Sequence, residues 1–115
     1  MIAQKHRIHG LGSLRYVYQR GKTVRSQALA IKFMRNDKRD DYRCAVVVSK
    51  KVHKSAVARN RVRRRIFEII RQNENRITGP YDLVITVFSV DVQNQPPDQL
   101  QKTLLNLLAE AGMLS

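Results

Sequence analysis

The chain has 115 residues, a formal net charge of +13 and a single cysteine. A chain of this length forms one domain, and 43% hydrophobic residues suffice for one modest core. Such a strong positive charge is typical of proteins that bind nucleic acids or membrane surfaces. No apolar run approaches the roughly 20 residues that span a bilayer, and no signal-peptide pattern opens the chain. These features argue against a membrane protein and predict a cytoplasmic protein that binds nucleic acid.

The positive charge is concentrated in the first two thirds of the chain. Residues 1–76 hold 21 of the 22 Lys and Arg residues but only 5 of the 9 acidic residues. We expect this part to face a polyanion and the remainder to serve as scaffold. Cys44 lies in an apolar run, which predicts a small buried residue rather than a reactive thiol and fits a reducing compartment.

The first thirty residues predict an arm and a short helix. Residues 1–10 are polar and basic, and we expect a flexible basic arm, loose or attached to the body or to the ligand. Gly12 and Ser13 indicate a helix start with Ser13 as the N-cap. Apolar residues continue at helical spacing to Tyr18, and Gly21 is predicted to end the helix in a left-handed conformation.

Three segments read as strands. Residues 28–34 alternate between apolar and polar positions, which predicts a half-buried strand. Residues 43–49 are nearly all apolar and are predicted to form a central strand. Residues 81–89 are rich in β-forming residues. Since a long helix separates the second segment from the third, we expect these two strands to be parallel neighbours.

Two further helices complete the pattern. A long helix is predicted from about Ser55, its N-cap, to about Asn75, and a final amphipathic helix from Pro96 or Pro97 to Gly112. In a helical projection of the long helix, Phe67 lies opposite the apolar stripe. That stripe consists of Ala58, Val62, Ile66, Ile69, Ile70, Asn73 and Ile77. The predicted fold class is α+β, a single-domain α/β sandwich in the order α-β-β(-β)-α-β-α, with the basic helix across one sheet face.

Residues 50–65 carry the strongest functional signal. Eight of these sixteen residues are Lys or Arg and none is acidic. Solvent-exposed helix faces usually mix charges of both signs, and positive charge at a helix N-terminus opposes the helix dipole. Arg side chains suit phosphates, and Asn60 can bond sugars or base edges. The stretch therefore predicts a polyanion-binding surface.

Other residue patterns give weaker signals for base stacking, metal binding and catalysis. Tyr18, between Arg15 and Lys22, is the best candidate for stacking on a base, although a core role is the alternative. The three histidines have no Cys or carboxylate partners at metal-binding spacing, so we predict no catalytic and no metal-binding residues. A protein nuclease that uses His53 stays open as an alternative.

The sequence from Ala56 to Ile70 resembles the signature of the protein subunit of bacterial ribonuclease P. That pattern is an R-N-R triplet followed by an aliphatic residue, a basic residue, an arginine, any residue and an aliphatic residue, and it is matched from Arg59 to Ile66. The V-S-K-K segment of that family is matched at residues 48–51, and a common family opening at residues 5–7. The family motif F-x-x-V-F-x-x-G is matched in step from Leu14 to Gly21. These matches cover most of residues 5–67.

The resemblance implies a left-handed crossover through the basic helix, against the usual right-handed preference. It also implies that the RNA subunit, with its Mg²⁺ ions, cleaves precursor tRNA to release the mature 5′ end. Partners are then the catalytic RNA, about 1:1, and precursor tRNA, with no membrane. We expect no cofactor on the protein alone, and we expect sulfate or phosphate to occupy the RNA sites.

The resemblance implies two RNA surfaces. The surface for the RNA subunit consists of Arg59, Asn60, Arg61, Arg63, Arg64 and Arg65. The cleft for the single-stranded 5′ leader of precursor tRNA consists of Leu14, Arg15, Tyr18, Lys32, Ser49, Lys50 and Lys51.

Two positions depart from the family pattern. Leu14 replaces a usual Phe, so we expect the cleft to depend on Tyr18. Phe67 replaces a common basic residue and is expected to contact RNA or to cover a neighbouring element. A generic RNA chaperone or ribosomal-type RNA-binding protein is the alternative function.

Overall fold

The computed structural model of the chain describes residues 3–114. Its main elements are α1 (Leu11–Arg20), β1 (Lys22–Arg25), β2 (Leu29–Arg35), β3 (Arg43–Val48), α2 (Ala56–Gln72), β4 (Tyr81–Val87) and α3 (Pro97–Glu110). Short 3-10 helices occur at Gln4–His6, Glu74–Arg76 and Val90–Asn94. The predicted α+β order is confirmed, and the optional strand exists as β1.

The four strands form one mixed sheet in the order β1-β2-β4-β3. The predicted parallel pairing of β3 with β4 is confirmed, and β2 runs antiparallel to β4. The prediction that residues 43–49 form a central strand is wrong, because β3 lies at an edge of the sheet. Its outer side is covered by the preceding chain, where the Ile8 amide donates to the Cys44 carbonyl at 2.9 Å. The apolar composition of β3 follows from its burial against α2, which packs on this strand. The left-handed crossover stays a prediction.

Successive residues of each strand face opposite sides of the sheet. On one side, here named the core face, α2 and α3 pack against the strands. The strand residues buried there are Leu29, Ile31, Cys44, Val46, Val48, Leu83, Ile85 and Val87. The other side, named the groove face, is crossed by α1, which contacts β2 and β4. Val17 of α1 and Val84 of β4 are fully buried there.

Helix ends differ from the predictions at both ends of α1, and α2 ends at Gln72 rather than at about Asn75. Ser13 is not the N-cap of α1, since the helix begins at Leu11 after Gly10, whose φ is 85°, with no side-chain cap. Gly21 is not left-handed, because its φ is −75°. Gly21 instead permits close approach, since a Cβ there would lie 2.6 Å from the Val17 carbonyl oxygen. Ser55 is confirmed as the N-cap of α2, accepting a hydrogen bond from the Ala58 amide at 3.3 Å.

The N-terminal arm is docked on the body, which corrects the expectation of a flexible segment for its described residues. The His6 ring stacks on Tyr42 with centroids 4.2 Å apart, and its Nδ1 lies 2.9 Å from the Tyr42 carbonyl oxygen. The Arg7 guanidinium lies 5.3 Å from the centroid of the Phe67 ring. Residues 1 and 2 lie outside the described residues.

Phe67 is only 3% exposed, so its outward placement in the helical projection is wrong. The arm covers the side of α2 that the projection assigned to solvent. Of the two expected roles, covering a neighbouring element is the one the structure shows. Cys44 is buried as predicted, and burial raises the pKa of its thiol to about 12, which leaves it protonated and unreactive.

A buried ion pair lies on the groove face beside α1. Arg43 donates from Nε and Nη2 to the two carboxylate oxygens of Asp82 at 2.9 and 2.8 Å. Asn36 Nδ2 donates to the same carboxylate at 3.0 Å. Burial alone would raise the pKa of Asp82, but the hydrogen bonds from Arg43 and Asn36 outweigh it and hold this pKa below its usual value.

We predict that Arg43→Ala lowers the free energy of unfolding by roughly 3–5 kcal/mol, because it leaves the buried Asp82 carboxylate without its main partner. The folded-state pKa of Asp82 is depressed, so its stabilising effect is present at neutral pH. That effect is lost as pH falls through the folded-state pKa, which lies below the ordinary value of an aspartate. Urea unfolding at several pH values measures both effects.

Arg71→Ala is the matched control, because Arg71 pairs with Glu68 on the exposed surface of α2. We expect a small change in stability from this variant. Equal losses in the two variants would contradict a special role for the buried pair.

Candidate nucleic-acid interface

The parallel pairing of β3 with β4 gives the sheet two distinct ends. Ser49 and Phe88 follow the C-terminal ends of these strands, and α2 begins a few residues beyond Ser49. Arg43 and Asp82 pair across the opposite end. We name these the Ser49 end and the Asp82 end.

The six predicted residues of the basic helix divide into four groups. Arg61 and Arg64 are exposed, and no hydrogen bond or ion pair is described for either side chain. Arg59 donates to the carbonyl oxygens of His53 and Lys54, each at 2.9 Å, and so orders the loop before the helix. Asn60 and Arg63 are half-buried, and Arg63 Nη1 donates to the Asn60 side-chain oxygen at 3.2 Å.

Arg65 forms the fourth group because its guanidinium has a structural role. It donates to the carbonyl oxygens of Val92 and Gln95 at 3.3 and 2.8 Å. These contacts attach α2 to the segment between β4 and α3. They distinguish Arg65 from Arg61 and Arg64, which were predicted to act in the same way.

The predicted cleft residues converge on the groove face. Leu14 is half-buried on the sheet side of α1, one helical turn before Val17. Lys32 lies under the end of α1, since a Cβ on Gly21 would be 3.2 Å from its Cγ. Ser49 continues the alternation of β3 onto the groove face, and its Oγ accepts from the Lys51 amide at 3.1 Å. Lys50 and Lys51 are exposed in the following turn.

The two tyrosines of α1 lie on opposite flanks of the helix, because residues two apart are separated by about 200°. Tyr16, 48% exposed, borders a cavity together with Arg43 and Asp82. Tyr18, 38% exposed, therefore faces the Ser49 end. Arg15 is exposed, on the outer side of the same helix.

Two residues of this surface were missed by sequence reasoning. The Arg25 guanidinium lies 5.4 Å from the centroid of the Phe88 ring, at the Ser49 end of the groove face. Register brings them together: Arg25 pairs with Ala30, and the Phe88 amide donates to the Ala28 carbonyl at 3.1 Å. The sequence offered one signal, since Phe88 lies near the end of a run of β-forming residues. The proximity of Phe88 to Arg25 could not be predicted, because it depends on the order of the strands in the sheet.

Acidic residues lie apart from the stretch 50–65. The stretch 50–65, which leads from the Ser49 end into α2, contains no acidic residue. Asp40, Asp41 and Glu74 instead line a cavity of about 400 Å³ on another side of the body, with Lys5 and His6. The surface at the Ser49 end thus combines exposed cations with the exposed Tyr18 ring and the half-buried Phe88 ring. Such a surface can hold backbone phosphates and stack single-stranded bases.

Comparison with known proteins identifies the family. A family model described as "Ribonuclease P" matches residues 2–112. The chain belongs to the ribonuclease P protein family. The ribonuclease P protein component of Chloroflexus aurantiacus is 37% identical over 113 residues, covering 98% of this chain and 82% of that one. The corresponding component of Pseudanabaena is 32% identical, covering 99% and 97%.

Solved structures agree with this family assignment. The RNase P protein from Thermotoga maritima has a TM-score of 0.80 at 26% identity, covering 89% of this chain and 94% of that one. The RNase P protein of Staphylococcus aureus has a TM-score of 0.85 at 24% identity, covering 96% and 98%, and supports the fold.

Family membership establishes that the chain is a ribonuclease P protein component, binds RNA and takes part in tRNA processing with an RNA subunit. A generic RNA chaperone or ribosomal-type protein is not favoured. Across residues 3–114, no helix is long and apolar enough to cross a membrane.

We predict that Arg65→Ala and Arg61→Ala separate structure from RNA binding. Arg65→Ala removes hydrogen bonds to two backbone carbonyls and should lower the free energy of unfolding by about 1–3 kcal/mol. Arg61→Ala should leave stability unchanged and weaken binding to the RNA subunit, with the salt slope reduced by about one. Thermal unfolding and RNA titration at several salt concentrations measure the two effects. Identical stability in the two variants would refute the structural role of Arg65.

Proposed function

We propose that this chain is the non-catalytic protein subunit of a ribonucleoprotein endoribonuclease that removes the 5′ leader of precursor tRNA in the cytoplasm. The observation that carries the proposal is the continuity at the Ser49 end. There, the groove face adjoins residues 49–51 and the first turns of α2, and residues 49–65 contain no acidic residue. One RNA can follow the groove while another contacts the helix.

The exposed side of α2 is the proposed contact for the catalytic RNA. Arg61 and Arg64 project from it, while Arg59 and Arg63 are held in place by hydrogen bonds within the protein. Preorganised guanidinium groups suit the phosphates of a folded RNA, because little side-chain order is lost on binding. Arg65 contributes positive charge near this surface, and its hydrogen bonds to the Val92 and Gln95 carbonyl oxygens hold α2 in place.

The groove face is the proposed cleft for the leader. Lys32, Lys50 and Lys51 supply charge for the backbone, and Tyr18 supplies a stacking surface. Arg25 and Phe88 extend the groove at the Ser49 end. Mature tRNA lacks a leader, so contacts made only to the leader favour precursor over product. This preference is the contribution we assign to the protein.

Phosphodiester hydrolysis is assigned to the RNA subunit and its Mg²⁺ ions. Mg²⁺ prefers carboxylate and phosphate oxygens. The proposed RNA-facing stretch, residues 50–65, carries Lys and Arg side chains rather than carboxylates. These cations can bind the phosphates of the RNA.

The proposal is tested by cleavage of precursor tRNA at limiting Mg²⁺, with the catalytic RNA alone, with the protein alone, and with both together. We expect cleavage by the RNA to be strongly stimulated by the protein, because bound cations and leader contacts replace part of the Mg²⁺ requirement. No stimulation would overturn the proposal. Cleavage by the protein alone would instead support a protein nuclease.

We predict that Tyr18→Ala weakens binding of precursor tRNA to the holoenzyme by about 1–3 kcal/mol, because a leader base loses its stacking surface. Affinity for mature tRNA should be unchanged. Tyr16→Ala is the matched control, since Tyr16 lies on the opposite flank of the same helix. It should leave the ratio of precursor to mature affinity unchanged. Equal losses for precursor and mature tRNA in Tyr18→Ala would show that the leader does not contact this residue.

A further inference from the structure

The segment between β3 and α2 joins the proposed leader cleft to the helix that is proposed to contact the RNA subunit. We name residues 50–54 the spacer loop. It forms no helix or strand, and four of its five residues are exposed. Its central residue, Val52, is only 2% exposed and packs in the hydrophobic core. The spacer loop is therefore anchored at its midpoint, and its lysines lie on the surface on both sides of this anchor.

Hydrogen bonds from side chains hold the backbone of the second half of the spacer loop. Gln93 Nε2 donates to the Val52 carbonyl oxygen. Arg59 Nη1 donates to the next two carbonyl oxygens, those of His53 and Lys54, each at 2.9 Å. Side-chain donors thus occupy three consecutive carbonyl oxygens in a segment that has no regular secondary structure. These contacts take the place of the hydrogen bonds that a helix or strand would supply.

The first half of the spacer loop is held by a turn at the end of β3. The Ser49 amide donates to the Val87 carbonyl oxygen at 3.0 Å, and the Val52 amide donates to the Ser49 carbonyl oxygen at 2.9 Å. The Lys51 amide donates to Ser49 Oγ at 3.1 Å. The turn that carries Lys50 and Lys51 is therefore attached directly to the sheet.

Gln93 is itself fixed relative to α2. It is half-buried in the 3-10 helix Val90–Asn94, next to the fully buried Val92. Arg65 of α2 donates to the carbonyl oxygens of Val92 and Gln95 at 3.3 and 2.8 Å. These contacts close a ring. Helix α2 holds the 3-10 helix through Arg65, the 3-10 helix holds the spacer loop through Gln93, and the spacer loop leads back into α2.

The ring connects two surfaces whose proposed ligands differ. Lys50 and Lys51 belong to the proposed leader cleft, whereas Arg61 and Arg64 belong to the proposed surface for the RNA subunit. A rigid connection between these surfaces fixes where the leader lies relative to the RNA that performs the hydrolysis. Such precision matters, because a displacement of about 1 Å can lower the rate of a reaction about a hundredfold.

We infer that Gln93 is a positioning residue for cleavage. Through the Val52 carbonyl it fixes the leader cleft relative to α2, and so it sets which phosphodiester bond of precursor tRNA reaches the active centre of the RNA subunit. Gln93 acts through the spacer loop rather than by contact with RNA. The rigidity of the loop follows from the hydrogen bonds, whereas the role in the choice of cleavage site rests on the proposed function.

The test compares Gln93→Ala with Gln99→Ala, which removes the same side chain from an exposed position on α3. The first arm measures amide hydrogen exchange by NMR in the free protein. It follows the amides of Lys51, Val52 and Ser55, each of which donates a hydrogen bond within this segment. We expect several-fold faster exchange in Gln93→Ala, because the loop opens more often without its donor, and no change in Gln99→Ala. Unchanged exchange in Gln93→Ala would overturn the rigid connection.

The second arm maps the 5′ ends that the fully assembled holoenzyme produces from saturating precursor tRNA. We expect Gln93→Ala to raise the fraction of cleavage at neighbouring phosphodiester bonds several-fold, whereas Gln99→Ala should give the same distribution as the unmodified protein. A loss of folded protein would lower the amount of product without moving the site.

The outcomes separate this inference from the proposed function. An unchanged distribution of 5′ ends in Gln93→Ala, with cleavage still stimulated, would overturn the positioning role and leave the proposed function intact. If the unmodified protein did not stimulate cleavage, the proposed function would fail, and the positioning role would fail with it.

Discussion

The parallel pairing of β3 with β4 determines where the RNA-facing groups of this protein lie. Parallel neighbours need a crossover, and here the crossover contains the basic helix α2. The pairing therefore brings Ser49, Phe88 and the start of α2 to one end of the sheet. Buried Arg43 and Asp82 fix the opposite end, where their ion pair joins β3 to β4 near the start of both strands. Most functional assignments follow from this division between the two ends.

Electrostatics explains why the basic surface needs a partner. The cations of residues 50–65 have no acidic neighbours in sequence, and they surround the N-terminal end of a helix, where positive charge is unfavourable. Phosphates relieve this repulsion, so the folded protein and a bound RNA stabilise one another. The structure refines this view, because Arg59 and Arg65 bind backbone carbonyls while Arg61 and Arg64 remain exposed. The stretch therefore combines groups that build the surface with groups that are free to contact RNA.

Sequence periodicity predicted the elements whose signal is local. Three such features could be predicted from the sequence, because each depends on residue spacing or on the chemistry of a helix end. They are the apolar stripe of α2, the N-cap at Ser55 and the parallel pairing of two strands. The errors occur where distant segments meet. The arm at His6 docks through Tyr42, Phe67 is buried beneath that arm, and β3 is an edge strand covered by residues 7–8.

The candidate site shows the same limit. Tyr18 and the arginines of α2 could be named from residue type, spacing and family resemblance. Arg25 and Phe88 could not, because only the register of three strands brings them together. The structural role of Arg65 was equally hidden, since its partners lie about 30 residues further along the chain.

The most direct test of the account is a site-specific crosslink in the holoenzyme bound to precursor tRNA. Tyr18 is replaced by a photoreactive phenylalanine derivative, and the same replacement at Arg64 serves as the second probe. We expect the probe at position 18 to crosslink the 5′ leader and the probe at position 64 to crosslink the RNA subunit. Crosslinks from position 18 to the RNA subunit or to the mature tRNA body, with none to the leader, would contradict the division of the surface proposed for this protein.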